Sequence, residues 1–216
     1  MAAMPESGRR TQQERKAATR AALLDAALAC LTERGYARFT TTEVAQRAGT
    51  SQGSVFKHFP SKSVLLAATI GHLFDSLRSD FSSAYASLPA GERTVARVLD
   101  LLWEQMADER LGAAYDLYSA ARTDPDLRAA LEPVMSAHVD QLVELAETVG
   151  DSAGAGLAPA GEPFEALATV TILCLQGLRL NQMVRPDPDE VAGVRRALRR
   201  VLEVAAPGDG AVRRDA

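Results

Sequence analysis

The residues best equipped for chemistry lie in one run, Thr40–Phe59, which reads TTTEVAQRAGTSQGSVFKHF. Amides, hydroxyls and a lysine are set there on two short, apolar-patterned segments. Such groups recognise rather than react: a glutamine can pair with adenine through two hydrogen bonds, and a lysine can reach O6 and N7 of guanine. Ala45 stands four residues before Gly49, and Val55 stands six after it. A small residue lets two helices cross closely, a glycine accepts the positive φ of a tight turn, and an apolar residue anchors the second helix to a core. Small, Gly and apolar at these offsets is the spacing of DNA-binding helix-turn-helix units.

Bond-making chemistry finds no comparable pattern. His58, His72 and His138 fall on different predicted helices, and no HExxH, GxSxG or Walker-type sequence occurs. No catalytic residue is assigned. Cys30 and Cys174 lie in apolar helical runs without a second thiol or histidine at ligand spacing, so the expectation is two reduced core residues, no disulfide, no metal and no cofactor. No apolar segment follows the first Met, and Ala166–Leu178 is too short to span a bilayer, which predicts a cytoplasmic protein without membrane contact.

Net charge over 216 residues is −4, which alone disfavours a nucleic-acid partner, but its distribution does not. Residues 1–62 hold ten Arg and Lys against five acids, a net of +5, while the other 154 residues carry −9. A basic head on an acidic body is the footprint of a nucleic-acid binder.

The elements that position these groups are all helical: aromatics are only 5% of the chain, Ala, Leu, Arg and Glu abound, and no strand pattern or internal repeat occurs. About nine helices are predicted. Residues 1–14 form a flexible basic arm. Leu24, Ala27, Leu28 and Leu31 mark a helix over 15–34 that stops at Gly35. Thr40 and Glu43 make a capping box with Phe39 and Val44 as its hydrophobic staple, and this second helix ends before Gly49. Ser51 caps the third helix and Ser61 the long fourth. Later helices start near Val95, at Leu111 and after Asp124-Pro125, the last of these containing Pro133. Residues 150–162 are loop-like. Phe164–Met183 is apolar on nearly every side, as a buried helix would be. The ninth helix starts at Asp187-Pro188, with Val191, Val194, Leu198, Val201 and Ala205 as a stripe at heptad spacing that wants a partner helix, opposite Arg195, Arg196, Arg199 and Arg200. A disordered tail is expected over 207–216.

The Thr40–Phe59 run, the amphipathic helix before it, Gly35-Tyr36, and the following His58-Phe-Pro-Ser-Lys62 together resemble the N-terminal domain of the TetR family of regulators over about residues 15–70. The remainder is similar only in helix number, length and an apolar last pair. The resemblance implies an N-terminal three-helix DNA-binding domain over 15–62 and a C-terminal effector-binding and dimerisation domain over 63–206. It implies a homodimer joined through its last two helices, with a palindromic double-stranded operator as partner. Carried over by position, Gln52, Ser54 and Lys57 face the bases, and Gly53 lets the backbone approach the groove. Thr41, Thr42, His58 and Lys62 match phosphate contacts, and the arm's Arg9, Arg10, Arg15 and Lys16 would add phosphate or minor-groove contacts. Phe56 stands where the family usually has Tyr, so one phosphate hydrogen bond is missing. The effector, expected to be a hydrophobic small molecule, would meet Trp103, Met106, Tyr115, Tyr118, Met135, His138, Gln176 and Asn181 on the central helices. Taken singly, each of these residues also suits ordinary packing or a solvated face. The resemblance thus implies a ligand-responsive repressor that a small molecule releases from its operator, an activator sharing the same binding geometry; the rival reading is a helical ligand-binding or interaction protein whose DNA head no longer functions.

Overall fold

The computed structural model describes residues 11–152 and 164–205. Arg9 and Arg10, the Gly- and Ala-rich stretch from residue 153 and the tail from Pro207 lie outside the described residues. Among those described there is no strand, and nine α-helices follow in order: α1 (Gln12–Arg34), α2 (Thr41–Arg47), α3 (Gln52–His58), α4 (Lys62–Ala86), α5 (Val95–Met106), α6 (Leu111–Ala121), α7 (Pro125–Ser152), α8 (Phe164–Val184) and α9 (Pro188–Ala205).

The chain forms two compact units, one from the residues up to Leu73 with Arg110–Val134, the other from Phe74–Glu109 with the residues from Met135 on. Compact units therefore do not follow the division at residue 62. In the first unit Leu23, Ala27, Leu31, Val44, Val55, Phe59 and Leu65 build the core beneath α1, α2 and α3.

Helix α1 starts three residues earlier than its apolar stripe predicts. Thr11 and Glu14 form a complete capping box, with Glu14 N–H donating to Thr11 Oγ1 at 3.2 Å and Thr11 N–H donating to Glu14 Oε2 at 2.7 Å. Part of the expected arm is thus helix, held by its cap rather than by burial, since no side chain from Thr11 to Ala22 is buried. The predicted box at Thr40 is only half formed. Thr40 Oγ1 accepts from Glu43 N–H at 3.3 Å, but the Glu43 carboxylate turns to Arg34 at 2.9 Å, where a charged donor outbids a backbone amide.

In the second unit Phe81, Tyr85, Leu101 and Val149 form a core, with the Tyr85 hydroxyl donating to the Val149 carbonyl at 3.3 Å. Asp187 caps α9 as its sequence predicts, accepting from the Asp189 and Glu190 amides at 3.1 and 3.0 Å. Four expectations change here. Arg195, placed on the solvent face, instead pairs with Asp100 and lies 6.0 Å from the centre of the Trp103 ring. The predicted stripe of α9 is split: Val191, Val194 and Leu198 are half-buried, while Val201 is 55% exposed. Helix α8, expected to be buried all round, exposes Val170, Leu173, Leu180 and Met183, and Cys174 is exposed with them; only Cys30 is a core thiol.

Candidate nucleic-acid interface

Helices α2 and α3 are joined by a turn that is fixed by backbone alone. Thr50 N–H donates to the Ala45 carbonyl at 2.9 Å and Gly49 N–H to the Gln46 carbonyl at 3.1 Å, the paired bonds of a Schellman motif. Gly49 sits at φ 64°, and a Cβ there would meet nothing within 4 Å, so glycine is needed for its conformation and not for space. Ser51 then caps α3, its Oγ accepting from Ser54 N–H at 3.2 Å.

A seven-residue helix has little stability of its own, so α3 is held by what it buries. Val55 and Phe59 are buried, while Gln52, Gly53, Phe56 and Lys57 face outward; Ser54 and His58 are half-buried. Gln52 Nε2 donates to Thr41 Oγ1 at 3.1 Å, which joins the exposed starts of α2 and α3. Thr42 is exposed beside it. Lys62 places its ammonium 4.9 Å from the centre of the Tyr36 ring and 5.6 Å from that of Phe39, so its cation is oriented by aromatic faces.

The charge of this unit is divided between fold and surface. Arg47 grips Glu33 with two bonds of 2.6 Å and Arg34 is taken by Glu43, tying α1 to α2. Lys16, Arg20 and Lys57 are exposed instead, with the Arg20 guanidinium 5.3 Å from the centre of the Phe59 ring. Desolvation first, then the positive fields of Lys16, Lys57 and Arg20, hold His58 below the ordinary histidine range. The result is a set of exposed cations around an imidazole whose protonated form they disfavour. Sequence reasoning missed both the Gln52–Thr41 link and the role of Arg20. Nothing in local spacing brings residues so far apart in the chain together.

The residues expected at an effector site are distributed over both units. Tyr115 and Tyr118 lie in the first, their rings meeting edge to face at 6.3 Å, and burial pushes the Tyr118 hydroxyl well above its usual range. In the second unit Met135, His138 and Gln176 line one cavity of about 120 Å³. Trp103, Met106 and Asn181 are not part of that lining: Trp103 packs near Arg195, Met106 is buried and Asn181 is exposed. A neighbouring cavity of about 80 Å³ is walled by residues such as Phe81, Leu102, Val149 and Leu167, which sequence alone cannot tell from core. No described helix is long and apolar enough to cross a membrane, and no described cluster of His, Cys, Asp or Glu could hold a metal.

Known proteins share this arrangement. The family described as bacterial regulatory proteins, tetR family, matches residues 23–69, and the tetracyclin repressor-like C-terminal domain matches residues 89–204. An HTH-type transcriptional regulator of Mycobacterium tuberculosis H37Rv, Rv2912c, is 29% identical over 180 residues, covering 83% of this chain and 90% of its own. CymR of Pseudomonas putida, also an HTH-type transcriptional regulator, is 36% identical over 124 residues, 57% of this chain and 61% of CymR. The crystal structure of a TetR-family regulator from Rhodococcus sp. superposes with a TM-score of 0.69 at 21% identity, covering 88% of this chain and all of that one. With helix-turn-helix geometry in the first unit and family matches over both halves, the chain belongs to the TetR family of bacterial transcriptional regulators.

Proposed function

We propose that the chain is a cytoplasmic, homodimeric repressor that holds a palindromic operator and releases it when a small molecule enters its second unit. The observation that carries this reading is the outward face of α3: Gln52, Gly53 and Lys57 stand exposed while Val55 and Phe59 fix the helix from below. In the complex Gln52, Ser54 and Lys57 read bases, and Gly53 lets the backbone approach the groove. Thr41, Thr42, His58, Lys62 and the exposed cations of α1 contact phosphates, and Phe56 packs its ring there without a hydroxyl to donate.

Dimerisation is supported by apolar side chains that the single chain leaves uncovered. Val170, Leu173 and Leu180 on α8, with Val201 and Val204 on α9, are between 45% and 87% exposed, the kind of apolar exposure that marks an interaction surface. Two copies joined through α8 and α9 present two α3 helices, which must lie about 34–36 Å apart, one turn of DNA, to grip both half-sites. An effector that shifts that spacing lowers operator affinity.

The test is a fluorescence-anisotropy titration of the full chain against DNA from upstream of its own gene, a random duplex, and a Gln52→Ala/Lys57→Ala variant. Salt-sensitive binding that prefers the upstream duplex and is lost in the variant supports a sequence-specific regulator. Equal weak binding to both duplexes, with no fragment enriched from the genome, would sink it.

A further inference from the structure

Two cavities lie side by side in the second unit, and their walls define the chemistry of what fits. The first, about 80 Å³, is bounded by apolar side chains from α4, α5, α7, α8 and α9, among them Phe81, Leu102, Val149 and Leu202. Thr171 is its single polar residue, and the Thr171 hydroxyl is already donated to the Leu167 carbonyl at 2.8 Å. The second, about 120 Å³, lies between α7 and α8 and adds Met135, His138 and Gln176. Leu142, Ala168 and Ile172 belong to both linings, so one shared wall, with alanine as its smallest member, separates the two.

Neither lining contains a charged side chain. Arg78, the cation whose field reaches His138, is engaged by Asp75 at 3.0 Å and by the Gln141 side chain. The imidazole of His138 lies flat on Phe74, centroids 3.7 Å apart and planes 13° from parallel, so one face of the ring is covered. A charged group entering this region would lose its hydration and find no opposite charge in either lining, whereas a hydroxyl or carbonyl has imidazole nitrogens and an amide to bond. An apolar cavity of about 150 Å³ holds one benzene, which sets the combined capacity at roughly 8 non-hydrogen atoms.

Resting on the effector-responsive reading above, we infer that the two cavities form one bipartite site for an uncharged amphiphile of medium chain length. Its hydrocarbon part fills the first cavity, and its single hydroxyl or carbonyl sits beside His138 and Gln176 in the second. Ala168 sets the passage between the parts.

The experiment is calorimetric titration of the full chain, without DNA, with 1-octanol, octanoate and octylammonium at pH 7, repeated with Ala168→Leu. Octanol should saturate the wild type and bind at least about tenfold more tightly than either ion, a difference of ~1.4 kcal/mol. The added bulk of Ala168→Leu should weaken octanol about tenfold while circular dichroism shows the fold retained. Octanoate or octylammonium binding as tightly as octanol, an unchanged affinity in a folded Ala168→Leu protein, or no saturation by octanol would each overturn the inference. Should Ala168→Leu fail to fold, the comparison of the three probes on the wild type decides alone. Because DNA is absent, failure here is distinct from failure to bind an operator.

Discussion

His138 makes the second unit sensitive to acid in a way that can be calculated. Desolvation first, then the field of Arg78, lowers its pKa to about 4 in the folded chain, with Asp75 opposing. An unfolded histidine titrates near 6.5, so between about pH 6.5 and 4 the unfolded chain binds the extra proton and stability falls as pH falls. For those two values, linkage between pH 7 and pH 5 gives about 1.8 kcal/mol, and the partial exposure of the ring reduces this to ~1 kcal/mol. Urea unfolding by circular dichroism at both pH values, at one protein concentration, measures it. The wild type should lose about 1 kcal/mol more on acidification than His138→Gln, which cannot titrate there. Equal losses in the two proteins would show that burial does not hold the imidazole neutral, and the reasoning would fail.

Gly49→Ala should cost about 1 kcal/mol, because only φ is strained, whereas Gly35→Ala should cost more: at φ 71° its Cβ would also stand 3.0 Å from Asp116 Oδ2. Thermal melts of the two variants test the order. Phe56→Tyr returns a hydroxyl to a ring that is 44% exposed, and should tighten operator binding about fivefold, ~1 kcal/mol, by anisotropy. His58 starts below the ordinary histidine range, and a phosphate beside it would raise it, so operator affinity should rise as pH falls from 7.5 toward 6 and not do so in His58→Gln. Leu173→Arg places a charge on the bare face of α8, and sedimentation should show a shift toward monomer with helix content kept.

The parts of the fold legible in the sequence were those set by local chemistry. Gly49, Ser51, Asp187 and the apolar stripe of α1 each act within a few residues, so spacing alone locates the helices they start, stop or bury. What misled was competition at longer range. Glu43 has the right spacing to cap α2, yet Arg34 lies within reach and takes its carboxylate. Arg195 reads as a solvent residue until Asp100 and Trp103 are folded against it. The uniform apolarity of α8 reflects two different surroundings, one inside the chain at Leu175 and Leu178 and one left open at Leu173. At the candidate interface, the base-facing set was read from a family pattern, while the links among Thr41, Gln52, Lys62 and the two rings needed coordinates. The apolar cavity was invisible beforehand because a void has no residue type.

Helix α3 separates its tasks by position. Ser51, Val55 and Phe59 secure it, and Gln52, Gly53 and Lys57 share no burial with them. If the outward face reads DNA as proposed, a substitution there would change its target while barely disturbing the fold, since exposed positions away from caps and core typically alter stability by less than about 0.5 kcal/mol. In a genome this lets one ancestral frame diverge into paralogues with different targets by single-codon steps, each intermediate remaining folded. In the laboratory it makes Gly53 and Lys57 positions that can be randomised without first stabilising the scaffold, whereas Gln52 also carries the bond to Thr41.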